Sequence, residues 1–355
     1  MNEKRLNTLR RRLRERNLEG LLVKGEANIY YLCGFSGVDS LLLVTPDELF
    51  LITDFRYVEE AKHEAPGVEI VRRRGTLITA AATKARRLRF KKIAFEAHFF
   101  TYSDFQALTA KEKRRFVPVT GLVEGLREQK DAEEIKMIKR SSRIAQAAFM
   151  RLKQIIEPGA TEKEIADELE MLLRREGASE SAFPIIVAAG KRASLPHARP
   201  GEHRIGENEA VLIDWGAKFN FYNSDLTRIV FMGKISSKMR GVYETVLEAQ
   251  HRAIKAIRPG VEMKEVDRAA REHIASCGLG KRFGHGLGHG VGLQVHEAPA
   301  IGPKVKGRLR VGMVFTVEPA VYIPNWGGVR IEDMVRVTRS GCEVLSRLPK
   351  GLGDI

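Results

Sequence analysis

Two stretches of this chain place acids where strands ordinarily place apolar side chains, and this limits the possible folds more than any other feature. The first reads Ala-Val-Leu-Ile-Asp214-Trp-Gly-Ala and returns as Phe-Tyr-Asn-Ser-Asp225-Leu-Thr-Arg-Ile-Val-Phe. The second reads Phe-Thr-Val-Glu318-Pro-Ala-Val-Tyr, turns at Pro324-Asn325-Trp326-Gly327-Gly328, and returns as Val-Arg-Ile-Glu332-Asp-Met-Val-Arg-Val. A turn near Lys218–Asn220 sets Asp214 opposite Asp225, and a turn centred on Asn325 sets Glu318 opposite Glu332. Facing residues of a strand pair have Cβ atoms ~5 Å apart. An ionised carboxylate buried alone is costly, and it either finds a partner or takes up a proton. One such acid is ordinarily salt-bridged or lies at a strand edge. Two hairpins that each carry a facing pair, with Arg228 and Arg330 as the nearby basic side chains, call for cations between them.

A nitrogen donor is at hand. Between the hairpins lies Gly-His285-Gly-Leu-Gly-His289-Gly-Val-Gly-Leu-Gln-Val-His296-Glu-Ala-Pro. Its glycines let the backbone approach a site closely. They fall in no G-x-G-x-x-G register, and Ala300 stands where an H-E-x-x-H motif needs its second histidine. Carboxylates with one imidazole form a hard donor set. Such a set suits Mn²⁺, with Co²⁺ or Zn²⁺ as alternatives. Two ions ~3.5–4 Å apart can share a bridging water and lower its pKa.

The surrounding chain reads as two domains, residues 1–125 and 126–355. In the first, helix and strand alternate: a helix with Leu6, Leu9 and Leu13 on one face, then Gly-Leu-Leu-Val, a hairpin around Pro46-Asp47-Glu48, and strands in Val-Glu-Ile-Val and Lys-Ile-Ala-Phe. This is an α/β domain. The second is α+β and repeats itself. Pro158–Glu164 and Pro259–Glu265 share one spacing, each ending a helix at Pro-Gly and starting the next. Each copy then runs through a helix to one of the acid-bearing strands, so a pseudo-symmetric duplicated fold is expected.

Composition narrows the setting. Net charge is +15, with basic residues at Arg10–Arg12, Arg72–Arg74, Lys84 to Lys92 and Lys111 to Arg115. A solvated surface is the ordinary reading of such runs, and no RNA- or DNA-binding motif accompanies them. Nucleic acid is therefore disfavoured as a partner. Cys33, Cys277 and Cys342 are far apart and form no CxxC pair, which suits a reducing cytoplasm. The charged N-terminus lacks a secretory apolar core, and no apolar run is long enough to span a membrane.

Taken in order, Asp214 with Asp225, the glycine-histidine stretch, Thr-Val-Glu318-Pro and Gly-Gly-Val-Arg-Ile-Glu332-Asp resemble the motifs of the pita-bread metallopeptidases, in their Xaa-Pro aminopeptidase and prolidase branch. Asn28–Gly37 and Leu51–Ala61 resemble the creatinase-type N-terminal domain of that branch. The resemblance implies a homodimeric peptidase that cuts between an N-terminal residue and a following proline. It implies two metal ions held by Asp214, Asp225, His289, Glu318 and Glu332, with Asp225 and Glu332 bridging and Glu318 also acting as general base. It assigns His197 and His296 to the substrate and the tetrahedral intermediate, His285 to a supporting place, and Arg330 to orienting the site. Many relatives carry an arginine where Ala300 stands, one that in prolidases can take the dipeptide's free carboxylate. Its replacement favours longer peptides over a strict dipeptidase, with Lys304 or Lys306 as substitutes. The competing reading is a non-catalytic binding protein of this fold that uses its basic surface for nucleic acid.

Overall fold

The computed structural model describes residues 2–111 and 115–352; within the basic run at 111–115, residues 112–114 lie outside this set, as do residues 1 and 353–355. The chain divides into two compact units, Met1–Arg127 and Glu128–Ile355.

The first unit is a six-stranded mixed sheet. Its strand order is Glu69–Arg72, Leu49–Thr53, Leu41–Val44, Gly20–Val23, Ile93–Glu96 and Phe116–Val119. The central strands carry apolar residues on both faces and are buried throughout, as strands covered on two sides must be. The helix Glu3–Glu15 buries Leu6, Leu9 and Leu13, the stripe expected from their spacing. The hairpin around Pro46 pairs Val44 with Leu49.

The second unit holds two helix pairs, Ala132–Leu152 with Glu162–Arg175 and Ser237–Ala256 with Met263–Ser276. Asp131 and Glu134 form a capping box at the start of the first helix, and Thr161 and Glu164 do the same at the second. Each box satisfies amide groups that a helix N-terminus leaves without partners. The duplication is visible in the backbone. Thr161 bridges Arg204, and Glu262 bridges Arg308, each just before the second helix of its pair.

Each pair covers an acid-bearing sheet. Behind the first pair is a three-stranded sheet ordered Leu226–Met232, Glu209–Trp215, Ile186–Ala189. Trp215 stacks on Phe149 at 4.4 Å between ring centroids and donates its indole N–H to the Ala145 carbonyl. Behind the second pair is a five-stranded sheet ordered Glu297–Ile301, Gly288–Gly290, Val314–Val317, Asp333–Val337, Cys342–Val344. Two apolar cores result, one on each helix pair. No helix among the described residues is long and apolar enough to cross a membrane.

Two details of the hairpins depart from the sequence reading. Asp214 pairs with Thr227, not Asp225. The turn falls one residue later than expected, at Asn220 and Phe221, which both have positive φ. That is the backbone a tight type I′ hairpin requires, and a phenylalanine does not advertise it. The resulting shift of two residues leaves every side chain on its original face. Asp214 and Asp225 are thus diagonal neighbours on one face. The second hairpin has the expected register, since Val317 pairs with Asp333 and Ala320 with Arg330. It is not one continuous ladder, however. Pro319 has no amide hydrogen to donate, and the ribbon Ala320–Ile323 with Gly327–Arg330 separates from the five-stranded sheet. Glu318 and Glu332 face each other across that break.

Candidate metal centre

The break lets the two hairpins meet. Glu332 leaves its own ladder and donates its backbone N–H to the Thr227 carbonyl of the first hairpin, at 3.2 Å. Buried Arg228 secures the crossing. Its Nη1 donates to the carbonyls of Thr227 (2.9 Å) and Glu332 (2.6 Å), while its Nη2 meets Asp333 Oδ1 at 2.7 Å. The charge of Arg228 is therefore spent on Asp333 and does not neutralise the facing acids.

The glycine-histidine stretch closes the third side. A Cβ on Gly288 would lie 2.0 Å from the Thr316 carbonyl oxygen, and one on Gly290 would lie 2.4 Å from that of Ala298. Only glycine permits these approaches, and they set His289 between the strands. Its Nδ1 faces the Gly290 carbonyl at 3.2 Å, which leaves Nε2 for the acids. That nitrogen is 3.2 Å from Glu318 Oε1 and 3.6 Å from Asp225 Oδ2. Ligand atoms of Asp225, His289 and Glu332 all lie within 4.8 Å of one another.

Asp214, Asp225, Glu318 and Glu332 line one cavity of about 760 Å³ together with His197, His285, His289, His296 and Arg330. The structure thus brings together every residue singled out from the sequence for this site. Arg330 is buried and fully engaged. It meets Asp214 Oδ2 at 2.5 Å through Nη2, the Thr227 hydroxyl at 3.0 Å through Nε, and the Tyr322 hydroxyl at 2.5 Å through Nη1. The buried Nε2 of His285 has no hydrogen-bond partner among the described residues, while its Nδ1 lies 2.7 Å from the Gly286 carbonyl. Arg271 donates to the Phe283 and His285 carbonyls and is itself held by Asp267. The His296 ring lies 4.0 Å from that of His289, centroid to centroid.

Burial and like charge dominate the electrostatics of the four acids. Burial pushes Asp225 well above the usual carboxylate range, and Glu332, Asp214 and Glu318 push it further. Burial raises Glu332 in the same way, with Glu318 and Asp214 adding to it. Asp214 is raised by burial despite Arg330. Burial also acts on Glu318, but contact with His289 overcomes it and leaves this acid below its ordinary value. His289 is raised in turn, because Glu318 outweighs its burial. Among the described residues, Asp214 alone of the four acids has an arginine or lysine in ion-pair contact. Asp214 Oδ1 and Glu332 Oε1 are buried without a hydrogen-bond donor. Oxygens of this kind, facing other carboxylates, fit divalent cations bound through oxygen and imidazole.

Four residues of this centre escaped the sequence reading. Thr227 donates its hydroxyl to Glu332 Oε2 at 2.6 Å while accepting from Arg330. Thr316 accepts the His289 amide and donates to Glu318 Oε1 at 2.9 Å. Tyr322 and Arg199 line the cavity. Nothing in the local sequence distinguishes the two threonines from ordinary strand formers.

Comparison with known proteins gives consistent results. A model of metallopeptidase family M24 matches residues 136–339, and a model of the creatinase/prolidase N-terminal domain matches residues 5–129. The Xaa-Pro dipeptidase of Pyrococcus furiosus is 36% identical over 352 residues, covering 99% of both chains. Among solved structures, the Xaa-Pro dipeptidase from Bacillus anthracis superposes with a TM-score of 0.95 at 40% identity and 99% coverage of each chain. The X-Pro aminopeptidase from Thermotoga maritima gives 0.91 at 38% identity and 98% coverage of each.

Proposed function

Because this chain belongs to metallopeptidase family M24, with a creatinase/prolidase N-terminal domain, we propose that it cuts the peptide bond between an N-terminal residue and a following proline. It is a hydrolase with a pita-bread C-terminal unit, and its family implies divalent metal ions. The relatives support this reading over a non-catalytic binder. The two-ion stoichiometry, the ligands and the residue roles below are our assignments.

Asp214, Asp225, His289, Glu318 and Glu332 would hold two ions, with Mn²⁺ favoured by the hard donors and Co²⁺ or Zn²⁺ as alternatives. The observation that carries this is the pair of buried, donorless oxygens on Asp214 and Glu332, set among like charges. When bound, such ions supply a nucleophilic water at neutral pH and polarise the scissile carbonyl.

The protein groups do the rest. The free N-terminal amine of the substrate would bind near the metal site. Glu318, which lines the cavity beside His289 Nε2 at 3.2 Å, is assigned as the acid that accepts a proton from water and passes it to the proline nitrogen. His197 and His296 stand on the cavity wall, where they can donate to the oxyanion. Arg330 orients Asp214. Phe183, Pro184, Ile185 and Val295 give the cavity an apolar side suited to a pyrrolidine ring. We expect a homodimer in a reducing cytoplasm.

The test combines substrate and metal. Metal-stripped protein reloaded with Mn²⁺, Co²⁺ or Zn²⁺ should hydrolyse Xaa-Pro and Xaa-Pro-Yaa peptides. Asp225→Asn and Glu332→Gln should each abolish turnover and metal uptake. Undiminished activity in stripped Asp225→Asn protein would discard the mechanism.

A further inference from the structure

We propose that Gln250 is a positioning residue: its side-chain amide sets the separation of Glu318 and Glu332, and Lys350 locks that amide in place. The proposal rests on the two-ion reading above and adds to it a residue outside the set of ligands.

The need for a spacer comes from the break in the second hairpin. Val317 pairs with Asp333 on one side of it, and Ala320 pairs with Arg330 on the other. Between those pairs, both acids give their amides to other parts of the chain. Glu318 donates its N–H to the Leu287 carbonyl at 2.9 Å, and Glu332 donates its own to that of Thr227. One long bond, from the Ile331 N–H to the Pro319 carbonyl at 3.4 Å, spans the gap. The backbone ladder is thus weakest where two carboxylates face each other, and facing like charges push strands apart.

Gln250 supplies the missing rung. It lies on the helix Ser237–Ala256, whose other buried residues are Val242, Tyr243, Val246, Ala249 and Ala253. Its own side chain is fully buried. An amide in such surroundings costs stability unless its polar atoms are bonded. Here they are. Nε2 donates to the Val317 carbonyl at 3.3 Å and to the Ile331 carbonyl at 3.2 Å. These are the residues immediately before Glu318 and Glu332, so one NH₂ group ties the two acid-bearing segments at a fixed spacing. Oε1 accepts from Lys350 Nζ at 2.6 Å, which fixes the direction in which the amide points. Lys350 is held in turn. Its ammonium also meets buried Asp333, and its carbonyl accepts the Tyr243 hydroxyl at 2.9 Å. Asp333 is the carboxylate that takes Arg228, whose Nη1 donates to the Glu332 carbonyl. Gln250, Lys350, Asp333 and Arg228 therefore form one chain behind the acids. Its two ends hold the peptide groups on either side of the Glu332 side chain.

The test measures Mn²⁺ binding to full-length, metal-stripped protein by titration calorimetry, with circular dichroism to establish that each variant is folded. Gln250→Met has similar length and no donors. Gln250→Glu keeps an acceptor for Lys350 and loses the amide donors. Loss of a partner behind a metal ligand typically costs about 10–100-fold in affinity, so both should bind Mn²⁺ at least about tenfold more weakly. Both should also alter the electron paramagnetic resonance spectrum of Mn²⁺ bound at saturation, which a loss of packing alone would leave unchanged. Lys350→Met, at a partly exposed position, should weaken binding by a smaller factor, and Lys350→Arg should restore it. Gln146→Met is the control: this glutamine bonds Leu345 and Arg347, and its loss should leave Mn²⁺ affinity unchanged. Unaltered affinity and spectrum in the folded Gln250 variants would overturn the proposal, as would equal weakening in Gln146→Met. If neither Gln250 variant folds, the Lys350 pair decides, and full affinity in Lys350→Met overturns it. In each of these cases normal Mn²⁺ uptake by the unaltered protein leaves the two-ion reading standing. Failure of the unaltered protein to take up Mn²⁺ would bring down both.

Discussion

At the scale of single residues, the acids of this centre depend on neutral neighbours. Thr227 hands its hydroxyl hydrogen to Glu332 and takes one from Arg330, so it fixes the carboxylate and the guanidinium relative to each other. Thr227→Val keeps the shape and removes both bonds. It leaves a buried carboxylate oxygen and a buried N–H without partners, each costing about 1–3 kcal/mol. The variant should melt earlier and lose metal to a chelator at least about tenfold more readily, which calorimetry and a chelator titration would read. The acids were legible in the sequence because charge inside an apolar strand is an anomaly. Thr227 was not, because its role exists only where a second hairpin crosses the first.

At the scale of elements, register and loop anchoring decide the geometry. The Pro-Asn-Trp-Gly-Gly turn is explicit, and the pairing it implied is the pairing found. The Asn220–Phe221 turn is not, and the first register was misread by two residues. The shared face survived because strand side chains alternate with a period of two. Repeated Pro-Gly junctions revealed the duplication, and Pro319 is the sequence's own mark of the break at Glu318 that lets the hairpins meet. Loop anchoring was hidden, since Glu162 looks like one more acid in a helix cap. It closes the loop of His197 and Arg199 with four hydrogen bonds. Glu162→Gln should weaken this anchor by about 1–3 kcal/mol, given that its ion-pair partner Arg192 is partly solvated. The expected kinetic signature is a raised KM with metal content unchanged, measured by steady-state kinetics beside metal analysis.

At the scale of the whole molecule, the two units should respond differently to metal. The cavity and its acids lie entirely within Glu128–Ile355. A ligand present at 100 times its dissociation constant stabilises the state that binds it by about 2.7 kcal/mol. Removing metal should therefore lower the melting temperature of the C-terminal unit and leave the transition of Met1–Arg127 in place. Scanning calorimetry with and without chelator would check this, and equal shifts in both transitions would contradict it.

The meeting of Thr227 with Glu332 has one more implication. Each half of the duplicated unit donates half of the carboxylates, and neither half possesses a centre of its own. Turnover is therefore a readout of completed assembly: a folding intermediate with one half in place and the other still searching would be silent, and the first product released by a refolding sample would time the moment the halves join.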